Sequence, residues 1–193
     1  MRLLEIDRGD GLGNRLLIGF ISLVSGMRLP DAARVAFYHT GFFNGSLGAW
    51  SQKTMRGSSE WTVSERELMA AMVAKWNSCT FCVGAHRAIA AKGMPRELVD
   101  EALGDYRSAA LPEGLKATLR FLEKLTLTPT EVKPDDAGEV LRAGVGPGAL
   151  EDAIAVTSIF GIVTRYADAL AFAMPSDAEF DKAGDMLLKR GYA

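Results

Sequence analysis

Two cysteines, a histidine and a glutamate fall within one short stretch of the chain. In ERELMAAMVAKWNSCTFCVGAH, residues 65–86, Cys82 follows Cys79 by three positions, His86 follows Cys82 by four, and Glu67 precedes Cys79 by twelve. A thiolate, not a thiol, attacks an O–O bond, and a free cysteine with a pKa of roughly 8.5 is mostly protonated at neutral pH. An imidazole one turn beyond Cys82 can take that proton directly or through a water. A carboxylate can hold the ring and stabilise its charged form. Cys82 is therefore read as the thiol that becomes a sulfenic acid, and Cys79, in the first exposed turn of a helix, as the thiol that resolves it to a disulfide. Such a pair calls for no bound cofactor, but it must be reset by an external dithiol.

These roles require the four side chains to meet. On a helix starting after Ser78, Cys79, Cys82, His86 and Ile89 form one stripe at steps of three and four. Asn77 and Ser78 interrupt the preceding helix. Glu67 lies about ten residues before that break, so an antiparallel helical hairpin sets it within a turn of His86. Ala70, Ala71 and Ala74 on the Glu67 side let the two backbones approach.

The rest of the chain reads as helices divided by punctuation, giving an all-α, compact helical domain. TVSE at Thr62 opens a helix over 64–76, and the cysteine helix covers 79–92. Further helices are expected from Glu97 to about Ala109, from Leu115 to Leu127, and after KPDD at Lys133. Ala149 to Ala173, the longest and most apolar segment, is expected to be the most buried helix, and SDAE at Ser176 caps the last one. Leu12–Met27 and Asp31–Phe43 look helical, whereas Phe42–Ser59, rich in Gly, Ser and Asn, reads as a loop or the entrance to a site. The division is one domain over 1–193, with N-terminal helices and a loop in 1–60 and a core in 61–193.

Composition narrows the function. With 193 residues, 48% hydrophobic and 24% charged, the chain has the make-up of a packed globular protein. A net charge of −2 with dispersed Lys and Arg lacks the basic stripe that nucleic acid requires. The apolar run Leu16–Met27 is shorter than the roughly 20 residues that cross a bilayer. Acidic residues Glu5, Asp7 and Asp10 precede it, unlike the start of a signal peptide, so neither membrane nor nucleic acid is expected as a partner and a cytoplasmic location is.

The spacing of Glu67, eleven residues, CxxC and three residues to His86 resembles the motif of the alkylhydroperoxidase D (AhpD) family, within the carboxymuconolactone decarboxylase superfamily. MRGSSEWTVSERELMAA, FLEKLTLTPTEV and RYADALAF are similar to its peroxidase-related branch, so the resemblance covers about Met55 to Tyr192. It implies an all-α AhpD-like fold and assembly into trimers or hexamers. It also implies reduction of hydrogen peroxide or an organic hydroperoxide through a Cys79–Cys82 disulfide, with Glu67 and His86 as a proton relay. The implied reductant is a lipoyl group or a dithiol protein. The best-studied members carry a second histidine between the cysteines, where this chain has Phe81.

Other readings of the same residues stand beside this one. The superfamily scaffold also carries lactone-decarboxylase lyase chemistry. Cys79, Cys82, His86 and Glu67 could instead ligate zinc in a non-enzymatic metal or redox-sensing module. Glu67 has capping-box spacing from Ser64, although Thr62 with Glu65 supplies the same cap. Arg165 and Asp168 are spaced for an intrahelical ion pair. Trp50, Trp61 and Trp76 read as core or interface anchors, Met69 and Met72 as core filler, and His39 as packing or surface.

Overall fold

The structure is a computed structural model that describes residues 1–9, 11–38 and 45–192, so His39 and the rest of 39–44 lie outside the described residues. The chain order is α1 Leu4–Arg8, α2 Gly11–Ser25, α3 Asp31–Tyr38, α4 Gly48–Arg56, α5 Val63–Trp76, α6 Thr80–Ala90, α7 Arg96–Asp105, α8 Glu113–Leu127, α9 Pro134–Arg142, α10 Pro147–Ala169 and α11 Asp177–Arg190. No strand occurs among the described residues. The fold is all-α, as the helical punctuation predicts.

α5 begins on the predicted capping box. The Thr62 hydroxyl accepts from the Glu65 amide at 3.2 Å, and the Glu65 carboxylate accepts from the Thr62 amide at 2.8 Å. Because Glu65 serves the cap, Glu67 is free to turn inward. Residues 66–74 are buried without interruption, making α5, not α10, the most enclosed helix. The reason is position: α4, α6, α7, α8 and α10 all pack on α5, whereas α10 keeps Ser158, Arg165 and Asp168 in solvent. Among the described residues α10 alone is long and apolar enough to cross a membrane, but it lies against α4, α5, α6, α8 and α9.

The join between α5 and α6 is tight. Ser78 takes a left-handed conformation at φ 61°, its amide donates to the Lys75 carbonyl, and the Cys79 amide donates to the Ala74 carbonyl, each at 2.9 Å. That is a Schellman closure, and it leaves Cys79 as the N-cap of α6. The chain doubles back along the small side chains of Ala70, Ala71 and Ala74, all without solvent exposure, and α6 makes its most extensive packing against α5. On its other side α6 meets α11 at Gly84. A Cβ there would come within 2.6 Å of the Phe180 ring, so only glycine allows this approach.

One expectation fails in the N-terminal third. The Gly/Ser/Asn-rich stretch holds a helix, α4, because its central AWSQKTMR consists mostly of adequate helix formers once Gly48 is passed. α4 buries Ser51, Thr54 and Met55, and it delivers Arg56 to the protein interior. The predicted helix from Asp31 is described only as far as Tyr38.

Candidate active site

Glu67 and His86 meet as the spacing predicts. The Glu67 Oε2 atom lies 2.6 Å from His86 Nδ1, with Glu67 wholly buried and His86 nearly so. Phe160 of α10 stands edge-on to the imidazole with ring centroids 4.3 Å apart and limits its rotation. With Nδ1 committed to the carboxylate, Nε2 is the ring atom left to exchange a proton.

Two further residues complete the carboxylate, and neither was found from sequence. Arg56 Nη1 lies 2.7 Å from Glu67 Oε1, and the Tyr192 hydroxyl donates to the same oxygen at 3.0 Å. The guanidinium also covers the Tyr192 ring, 4.8 Å from its centroid. Burial alone would push the Glu67 carboxyl up. The His86 hydrogen bond and the charges of His86 and Arg56 outweigh it and hold the group below the usual carboxylate range. The Tyr192 phenol is driven well upward by burial and by the Glu67 charge. Arg56 sits in a stretch whose composition suggests a loop, and Tyr192 lies 125 residues from Glu67. No periodicity links them.

Both sulfurs are free thiols at the start of α6, and both are buried, Cys79 at 0% exposure and Cys82 at 2%. The expected exposed position of Cys79 is therefore wrong: as N-cap of α6 it is folded under the α5–α6 join, where its amide is tied to the Ala74 carbonyl. The two thiols are unequal. Cys79 is lowered mainly by the hydrogen bond from the Cys82 thiol and further by the Cys82 backbone N–H, against the opposing effects of burial and Asp168. Cys82 is pushed up by donating that hydrogen bond, by burial, and by negative charge on Cys79 and Asp168. The pair is one coupled acid whose first charge rests on Cys79. Thiolate absorbance near 240 nm should accordingly show one cysteine ionising below the free-thiol value of roughly 8.5 and the second well above it. A single step for both near that value would refute the asymmetry.

Asp168 faces this dithiol, and Arg165 donates instead to the Gly161 carbonyl of its own helix, so the expected Arg165–Asp168 pairing is replaced. Phe81, between the cysteines, packs edge-on to Phe172 and Phe180 at 5.1 and 5.8 Å and leaves no second proton carrier there. Zinc ligation fits poorly. Glu67 is occupied by His86, Arg56 and Tyr192, and among the described residues no three His, Cys, Asp or Glu side chains converge as metal ligands.

A largely apolar cavity of about 390 Å³ opens between α2, α3, α6, α10 and α11. Cys82 and His86 both border it, with Phe81, Phe160, Val163 and Phe180 as apolar wall; Cys79 does not reach it. This is within the size range of small-molecule sites. The arrangement offers a sulfur and a proton acceptor one helical turn apart at the wall of a greasy chamber.

No protein-family model matches the chain, and no curated protein matches it. Solved structures do. An uncharacterized peroxidase-related protein from Silicibacter sp. TM1040 superposes with a TM-score of 0.78 at 25% identity over 93% of both chains. The alkylhydroperoxidase AhpD core of an uncharacterized peroxidase-related protein from Ralstonia eutropha JMP134 gives 0.71 at 25% identity over 89% of both. The chain has the AhpD-like fold. The debrominase Bmp8 has the same fold, with a TM-score of 0.61 at 14% identity over 90% of this chain and 91% of that one. The AhpD-like scaffold thus occurs with a differently named chemistry, and function must be argued from the site rather than from the helices.

Proposed function

We propose that this AhpD-like chain is a thiol peroxidase that reduces hydrogen peroxide or an organic hydroperoxide. The observation that carries the reading is that Cys82 and a carboxylate-held His86 border one cavity while a second buried thiol, Cys79, caps the same helix one turn before Cys82. The Cys82 proton passes to His86, and the sulfur attacks the terminal peroxide oxygen. The O–O bond breaks, Cys82 becomes a sulfenic acid, and the leaving alkoxide takes the proton from His86. Cys79 then attacks the oxidised sulfur, a disulfide forms, and water leaves. Two thiols and one hydroperoxide yield one disulfide, one alcohol and one water.

No cofactor enters this cycle, and a dithiol protein or lipoyl group must return the disulfide to thiols. Self-association belongs to the same proposal. It is supported by the outer face of α2, where Leu12, Leu16, Phe20, Leu23 and Val24 are 62 to 81% exposed among the described residues. A cytoplasmic location belongs to the same proposal, since reducing surroundings return such a pair to thiols.

The test is stoichiometric. One equivalent of hydroperoxide should consume both thiols of the reduced wild type, while Cys79→Ser should halt at a sulfenic acid on Cys82 that a dimedone reagent labels. Survival of both wild-type thiols through excess hydroperoxide would end the peroxidase reading. A lyase on this scaffold would have no use for the second thiol, so full turnover of a lactone by Cys79→Ser would favour that chemistry instead.

A further inference from the structure

The buried carboxylate has more partners than a histidine-orienting group needs. Its two oxygens are divided, Oε2 to His86 and Oε1 to both Arg56 and Tyr192. The Arg56 side chain is only 10% exposed. Its Nη1 serves Glu67 and the Met55 carbonyl, while Nε and Nη2 have no hydrogen-bond partner among the described residues. A guanidinium so sparsely bonded contributes its charge more than a hydrogen-bond network. The segment after α11 is secured to the same place: the Tyr192 amide donates to Gln52 Oε1 at 2.7 Å, and Gly191, at φ 78°, passes so close to Gln52 that a Cβ would collide with it.

Charge counting gives the consequence. A buried Glu67 carboxylate facing His86 alone would be neutralised best by an imidazolium, which cannot accept a proton. With Arg56 in place the guanidinium supplies part of that counter-charge, so the carboxylate draws less on charge at His86. We infer that Arg56 and Tyr192 are positioning residues that hold Glu67 as a balanced carboxylate and so set how readily the His86 ring takes the Cys82 proton. The inference rests on the proposed use of His86 as proton acceptor.

The other groups around the ring do not substitute for this pair. Arg66 of α5 turns away to the carbonyls of Thr54 and Gly57 at 2.8 and 3.0 Å. α10 presents Phe160, α6 presents Cys82, and Arg190 at the end of α11 borders the cavity from an exposed position.

The experiment reads His86 directly. The chain has two histidines, so a His39→Gln background assigns the remaining ring resonances in a pH titration of the reduced protein by nuclear magnetic resonance. Arg56→Met should move the His86 midpoint upward by about one pH unit relative to the parent. Arg56→Lys should restore it, and Tyr192→Phe should give a smaller step in the same direction. An unmoved midpoint in folded Arg56→Met overturns the inference. If that variant does not fold, Tyr192→Phe decides by the same criterion, an upward step supporting the inference and no step overturning it. The midpoint can be measured whether or not a hydroperoxide is the substrate. Intact thiols after peroxide treatment therefore sink the peroxidase reading, whereas an unmoved midpoint beside normal thiol oxidation sinks only the role of Arg56 and Tyr192.

Discussion

Cys82→Ser is expected to react with hydroperoxide at least about a thousandfold more slowly than the wild type, as loss of a covalent nucleophile does elsewhere. The outcome is informative because thiolate chemistry alone points to the other sulfur. Cys79 is the more acidic thiol, lowered by the Cys82 thiol and backbone N–H, and it remains in the variant. It has no solvent exposure, however, and does not border the cavity. Access and a proton acceptor lie with Cys82, and a sulfur of higher proton affinity is the stronger nucleophile once deprotonated. Competition kinetics on the reduced variant measures the rate. Oxidation of Cys79 at the wild-type rate would exchange the roles of the two cysteines.

Glu67→Gln is expected to lose about 3–5 kcal/mol of stability, the usual cost of removing one member of a buried ion pair. The glutamine keeps the volume and can still face Tyr192 and His86, but Arg56 remains buried without a counter-charge. Urea unfolding should show a lower midpoint with little change in slope. The rate of thiol oxidation should fall by roughly 10²–10⁴-fold as the imidazole loses the group that fixes its proton on Nδ1. Acid dependence carries the sign. The folded carboxyl lies below its unfolded value of roughly 4.3, so its contribution is complete above that pH and disappears as pH falls through the lower folded value. The glutamine variant should lack this component of acid unfolding. A variant within about 1 kcal/mol of wild type would show that Glu67 does not anchor the site.

The Glu67–His86 contact was legible because it is local: helical period, a break at Asn77 and Ser78 and a row of alanines are enough to bring the two together. The caps at Thr62 and Ser176 were legible for the same reason. What escaped depends on tertiary neighbours. Arg56 lies in a stretch whose glycines and serines mask a helix, and Tyr192 reaches Glu67 because the segment after α11 is tied to α4 at Gln52. The depth of Cys79 and the turn of Asp168 toward it follow from α10 packing on α6, which leaves no trace in the spacing of either helix. The enclosure of α5 was underestimated because a helix covered on all sides has no polar face to mark it.

Cys79 acts as a linchpin between two helices: its amide fastens the last turn of α5 through Ala74, and its sulfur sits beside the Cys82 amide in the first turn of α6. Drawing that sulfur into a bond with Cys82 withdraws it from the amide and tugs on the knot at Ser78. Oxidation should therefore quicken deuterium uptake at the adjoining helix ends, giving a reductant a mechanical sign, as well as a chemical one, that the protein needs recharging.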